Sequence, residues 1–146
     1  MNAAEMEGFF FLDTNILIYA HDTIDPRKQQ IATQLVHDAI HTGRGYISTQ
    51  VVQEFLYAVL RKFKQPMTFM ECHRYLQDVL EPLCAYFPSI STYDRALLIA
   101  EETGFHFYDA LIVAATVESG CRTLLTEDLQ SGRQIHGVTI LNPFAE

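Results

Sequence analysis

The sequence predicts an α/β protein, a short parallel sheet covered by helices on both faces. Three observations carry that reading. Stretches of only four or five residues are rich in apolar and β-branched side chains, residues 9–12 (FFFL) without a polar break and residues 138–141 (VTIL) with one threonine, the pattern of short buried strands. The longer segments between them repeat their apolar residues three and four apart, the period of an amphipathic helix. The chain has 146 residues, 49% of them apolar, which suffices for one packed core and one domain spanning residues 1–146.

The elements follow in order. Residues 9–12 form a strand bounded by Gly8 and Asp13, and a short helix is expected over 16–21. Asp25 and Pro26 offer a cap and a first-turn proline to a helix carried by Ile31, Leu35, Val36, Ala39 and Ile40 up to Gly43. Residues 45–49 (GYIST) make the second strand. Val51, Val52, Phe55, Val59 and Leu60 stripe the next helix, which Pro66 closes. Thr68 and Glu71 have capping-box spacing, and Phe69, Cys72, Leu76, Val79 and Leu80 carry that helix to Pro82.

The segment CAYFPSI holds a third strand, weakened by Pro88. Ser91 or Thr92 caps a helix through Ala96, Ile99 and Ala100 to Gly104. A last helix, apolar almost all round, runs from Asp109 to Gly120, so deep packing is expected of it. Residues 122–126 and 138–141 are the fourth and fifth strands.

Composition narrows the function. No run of eighteen apolar residues occurs, and the opening MNAAEMEG lacks a basic signal segment. Cys72, Cys84 and Cys121 form no CxxC pair, which disfavours zinc and fits reduced thiols in a cytoplasmic protein with no membrane partner. Ten Lys and Arg against 18 Asp and Glu leave a net charge of −8, unsuited to broad, non-specific grip on nucleic acid. Arg61, Lys62 and Lys64 nevertheless cluster, as a solvated helix end or as a local basic rim.

Most of the acids sit on solvated helix faces or near helix ends. Three stand apart. Asp13 follows the first strand, Asp128 follows the fourth, and Asp109 opens the most apolar helix. In open parallel sheets ligands gather outside the carboxyl ends of the strands. Each acid also has a plainer role, Asp13 and Asp109 as helix caps and Asp128 as a turn residue. Glu54 lies at the border of its helix stripe, where periodicity alone reads it as an ordinary solvated side chain.

The pattern strand–Asp13-Thr14-Asn15, then Glu54 in ISTQVVQEF, Asp109 in YDALIVAA and Asp128 in LLTEDL resembles PIN-domain ribonucleases, and especially the VapC-type toxins of bacterial toxin–antitoxin pairs. The likeness runs from Phe9 to the ILNPF stretch near the end. It implies a PIN-like three-layer α/β/α sandwich with a parallel sheet of four to five strands. It implies that Asp13, Glu54, Asp109 and Asp128 hold Mg²⁺ or Mn²⁺ and cut RNA, that the chain forms a homodimer, and that an antitoxin protein occupies the active-site groove. Thr14, Asn15 and Thr126 would orient the acids or touch the phosphate.

The chemistry supports this assignment of roles. Two like charges some 4 Å apart repel by about 4 kcal/mol at an effective dielectric near 20. A hard divalent ion relieves that repulsion, and an oxygen-only donor set favours Mg²⁺ or Mn²⁺ over zinc. Asp13 and Asp109 are expected as the most direct ligands, with Glu54 and Asp128 completing the site. The competing readings are a non-catalytic RNA- or protein-binding module and, more remotely, a haloacid-dehalogenase-type phosphatase. The latter wants D-x-D, and Asn15 stands where its acid–base carboxyl would be. An aspartic protease would need D-T-G twice.

Overall fold

The structure, a computed structural model, describes residues 6–145. Strand β1 (Phe10–Leu12) leads through Asp13 into α1 (Thr14–His21) and then α2 (Pro26–Thr42). Strand β2 (Gly45–Ser48) runs directly into α3 (Thr49–Arg61). The next helix is α4 (Phe69–Tyr75), a π-helical turn at Leu76–Leu80 and a last short turn, α5 (Glu81–Leu83), ahead of β3 (Cys84–Tyr86). Helices α6 (Ile90–Thr103) and α7 (Phe107–Glu118) precede β4 (Thr123–Leu125), and β5 (Gln134–Ile135) and β6 (Val138–Leu141) complete the order.

The sheet order is β3-β2-β1-β4-β6-β5, parallel except for β5. Crossovers between parallel strands are right-handed as a rule, which sets the helices of the β1-to-β3 connections on one face and those of the return to β4 on the other. The packing agrees: α1 lies against α2 and α3, while α6 lies against α7, which rests on β4 and β6. Phe10, Phe11, Leu12, Ile47, Leu124 and Leu125 are all fully buried, as strands covered on both faces require. Gly45 marks the tightest approach: a Cβ there would sit 2.2 Å from the Ala39 Cβ and 2.9 Å from the Phe10 ring, so α2 closes on β2 only because position 45 has no side chain.

The described sheet has six strands, one more than the upper end of the expected range. The extra one, β5, pairs antiparallel with β6 through a two-residue turn at His136 and Gly137. Both turn residues have positive φ, 49° and 84°, as a type I′ hairpin demands. Two residues are too few to show a period, so this strand left no mark in the hydropathy pattern.

Three helix starts differ from expectation, the first being α1, which begins at Thr14 and not at residue 16. Helix α6 begins after Ser89 instead of Ser91 or Thr92, and Thr92 sits in its first turn with its hydroxyl accepting from the Ser89 N–H at 3.1 Å. Helix α7 begins at Phe107, so Asp109 lies in the first turn and is not the cap. Asp13, by contrast, does cap α1, accepting the Thr14 N–H at 2.7 Å. Among the described residues no helix is long and apolar enough to cross a membrane.

Candidate functional site

The topology singles out one place on the sheet. From β1 the chain leaves towards β2, whereas from β4 it leaves towards β6, so the neighbours β1 and β4 diverge at their carboxyl ends. Such a switch point opens a crevice in an α/β sheet. Asp13 follows β1 there and Thr126, Glu127 and Asp128 follow β4. The ladder continues one step beyond the strands, with the Asp13 N–H donating to the Leu125 carbonyl and the Thr126 N–H to the Leu141 carbonyl, each at 3.0 Å. Asp13 and Thr126 are thereby set side by side, and the Thr126 hydroxyl donates to Asp13 Oδ2 at 2.8 Å.

A cleft of about 310 Å³ opens at this edge, lined by Asp13, Glu54, Asp109 and Asp128 together with Thr14, Asn15, Gln50, Lys62 and Tyr108. The four acids arrive from four separate segments: the end of β1, the middle of α3, the first turn of α7 and the loop after β4. Asp13 is buried, Asp109 half-buried, and Glu54 and Asp128 are exposed.

Asn15 ties the acids together. Its side-chain amide donates to Asp128 Oδ2 at 3.1 Å and to Thr126 Oγ1 at 3.2 Å, with Asp13 Oδ2 at 3.4 Å. Its carbonyl oxygen faces the Glu127 N–H at 3.4 Å, which fixes the sense of the amide. The Thr14 hydroxyl donates to Glu54 Oε1 at 2.8 Å and holds that side chain over the cleft. The Thr126 hydroxyl is used three times, donating to Asp13 and accepting both from the Asn15 amide and from the Asp128 N–H at 3.1 Å.

Burial dominates the electrostatics. Asp13 is pushed up to about 7, first by desolvation and further by the Asp128 and Glu54 charges, while its bonds from Thr126 and the Thr14 N–H pull the other way. Asp109 is also raised, again by desolvation and then by Asp128, with His106 opposing. Two of the four acids, Asp13 and Asp109, thus feel the charge of others across the cleft. Glu127 is different. Burial would raise it, but Lys28 and the Tyr19 hydroxyl bind its carboxylate and hold it below its ordinary value. Of the adjacent pair Glu127-Asp128, only Asp128 lines the cleft.

The donor chemistry fits a hard divalent ion: every acid at the cleft offers oxygen, and no Cys or His lines it. Among the described residues no three acidic, His or Cys side chains form a closed cage. Mg²⁺ does not need one, since it commonly keeps several waters and takes one or two carboxylates. Sequence reasoning passed over Gln50 and Tyr108 and left Lys62 as one of a basic cluster. Gln50, Glu54, Ala58 and the C-cap Lys62 recur every four residues along α3 and all line the cleft, but that spacing alone reads as any solvated helix face.

Comparison with known proteins follows the same outline. Three solved structures share 18% identity with this chain. A toxin–antitoxin complex from Klebsiella pneumoniae has a TM-score of 0.64 over 92% of this chain and 97% of that one. FitAB bound to an IR36 DNA fragment also has 0.64, over 94% and 97%. VapBC2 from Rickettsia felis, bound to a DNA fragment from their promoter, has 0.58 over 90% and 96%. At such identity the likeness speaks for the fold. No curated protein matches the chain in sequence. The family model described as the PIN domain matches residues 10–133, the greater part of the chain and all four acids of the cleft, and this chain belongs to the PIN domain family.

Proposed function

We propose that this protein is a Mg²⁺- or Mn²⁺-dependent endoribonuclease acting as the toxin of a toxin–antitoxin pair in the cytoplasm. The observation that carries the reading is the gathering of Asp13, Glu54, Asp109 and Asp128 from four separate segments into one cleft at the switch point of the sheet. A fold held together elsewhere by apolar packing has no structural use for four acids in one cleft, where burial and neighbouring charge raise the proton affinity of Asp13 and Asp109.

Asp13 and Asp109 would hold the ion most directly, with Glu54 and Asp128 completing its surroundings directly or through water. When bound, the ion activates water and neutralises charge growing on the phosphate and the leaving oxygen. The chain's own residues do the rest. Asn15 and Thr126 keep Asp13 in one orientation, Thr14 keeps Glu54 above the cleft, and Lys62 at the rim attracts the RNA phosphate. Glu54 or Asp128, both in contact with solvent, takes the proton from the attacking water.

One of the similar structures, that from Klebsiella pneumoniae, is a toxin–antitoxin complex, which supports an antitoxin as protein partner here. An acidic cleft on a chain of net charge −8 suits a basic antitoxin segment, and self-association into a homodimer belongs to the same reading. The test is cleavage of RNA by the purified chain in Mn²⁺, in Mg²⁺ and in chelator. Cation-dependent cutting that Asp13→Asn abolishes, with an unchanged circular dichroism spectrum, is the expected result. Equal cutting by Asp13→Asn and wild type removes the active-site assignment, and no cutting in either cation leaves a binding module.

A further inference from the structure

Beside the acidic cleft runs a second, shallower groove of about 260 Å³, lined by Gln50, Gln53, Glu54, Tyr57 and Tyr108. It shares Gln50, Glu54 and Tyr108 with the cleft, so the two are continuous. Tyr57 and Tyr108 are 59% and 66% exposed, although rings of that size normally bury most of their surface. Lys62 lies over the Tyr57 ring, 5.7 Å from its centroid, and also lines the cleft.

Gln50 supplies an independent sign. Its side chain is only 6% exposed, and its amide donates to the Tyr108 carbonyl at 3.1 Å. Among the described residues its Oε1 accepts no hydrogen bond. An acceptor shut away unpaired is destabilising, and an arriving N–H donor relieves that penalty. Gln50 and the exposed Tyr108 both line the cleft and the groove, so a donor entering there arrives beside this oxygen.

We propose that this groove is a nucleobase subsite: a base of single-stranded RNA next to the scissile phosphate stacks on Tyr57 and Tyr108 and donates an edge N–H to Gln50 Oε1. The inference rests on the ribonuclease reading and adds to it how the substrate is gripped. Every base has a π face for tyrosine and an N–H for an amide oxygen, and Lys62 is placed to meet the adjoining phosphate. The two exposed rings and the lysine beside them single out RNA as the occupant. Exposed rings beside a lysine suit a chain of alternating bases and phosphates, while the phosphate next in line falls at the acids, where a cation is expected.

The chain contains no tryptophan, so Tyr57→Trp provides one emitting ring that still stacks. This variant is titrated in Ca²⁺ buffer with a 12-mer oligoribonucleotide, checked intact on a gel, and with an abasic phosphodiester chain of equal length; anisotropy of a dye on each chain reports binding. The base-bearing chain quenches the tryptophan and the abasic chain does not. Tyr57→Ala and Tyr108→Ala each weaken binding of the base-bearing chain about 5- to 100-fold, the Phe variants restore it, and Gln50→Leu weakens that chain but not the abasic one. Anisotropy that reports binding without quenching overturns the subsite and leaves the ribonuclease reading standing. Absence of any RNA binding overturns both. Quenching by a basic antitoxin peptide but not by RNA assigns the groove to a protein partner and overturns the proposal.

Discussion

The side-chain amide of Asn15 donates to Asp128 Oδ2 at 3.1 Å, joining the residue two places after β1 to the loop after β4. The same amide faces Asp13 Oδ2 at 3.4 Å, so one neutral side chain lies between two carboxylates that repel each other. A carboxylate in this place would add charge where two acids already crowd. A short apolar side chain would leave them unbridged.

Asn15→Ala is expected to loosen both acids. RNA cleavage falls at least tenfold and the half-saturating Mn²⁺ concentration rises severalfold, while the thermal midpoint drops by what the lost side-chain hydrogen bonds of Asn15 contribute, on the order of 1 kcal/mol each. Metal titrations of activity alongside thermal melts check this. Unaltered metal dependence would remove Asn15 from the support of the acids.

The raised proton affinity of Asp13 makes stability depend on pH. The unfolded chain releases this proton near 3.8, whereas the folded chain holds it to about 7. Between those values the folded state binds more protons, so stability is greatest below about pH 4 with respect to this group and is lost as pH rises to 7, by something on the order of 4 kcal/mol if Asp13 acts alone. Asp109 is shifted in the same direction. Melts in chelator should show this downward slope. Added Mn²⁺ should raise the midpoint by several degrees at pH 8 and hardly at all at pH 5, where protons already neutralise the acids.

Glu127 and Asp128 are neighbours with opposite surroundings. Lys28 and Tyr19 hold Glu127, and Asn15 holds Asp128 in the cleft. Asp128→Asn is expected to lower cleavage by two orders of magnitude or more with little change in stability. Glu127→Gln should keep cleavage within about threefold and lower the melting point slightly, because a partly exposed ion pair contributes about 1 kcal/mol or less. Initial rates and melts of the two variants settle the comparison.

Gly45→Ala tests the fold. The added carbon would meet Ala39 and Phe10 well inside van der Waals distance, so α2 must move away from β2. A loss of about 1–3 kcal/mol is expected from urea unfolding. Ala39→Gly in the same chain should recover part of it, since its Cβ makes the shortest of those contacts.

Much of the architecture was legible because it depends on local pattern. FFFL and VTIL mark buried strands by composition alone, and Asp25-Pro26 and Thr68…Glu71 mark helix starts by capping chemistry confined to a few adjacent residues. Capping also misled where two hydroxyls competed. Ser89 prevailed over Ser91 because β3 ends at Tyr86 and the chain turns into α6 at once. Asp109 had the look of a cap, yet α7 starts two residues earlier, which puts its carboxylate in the first turn, facing the cleft.

What the sequence determined by itself was the alternation of buried strand and helix, and with it a parallel sheet whose carboxyl edge bears Asp13 and Asp128. Periodicity could not tell Glu54 from a solvated surface acid, nor single out Gln50, Tyr57 and Tyr108. Those residues acquire meaning only when the middle of α3 and the start of α7 meet above the gap between β1 and β4. The physical reason is range. Caps and hydrophobic periods act over a few residues, whereas an acidic cleft depends on segments as far apart as Asp13 and Asp128, which only the packing of the sheet brings within reach of one another.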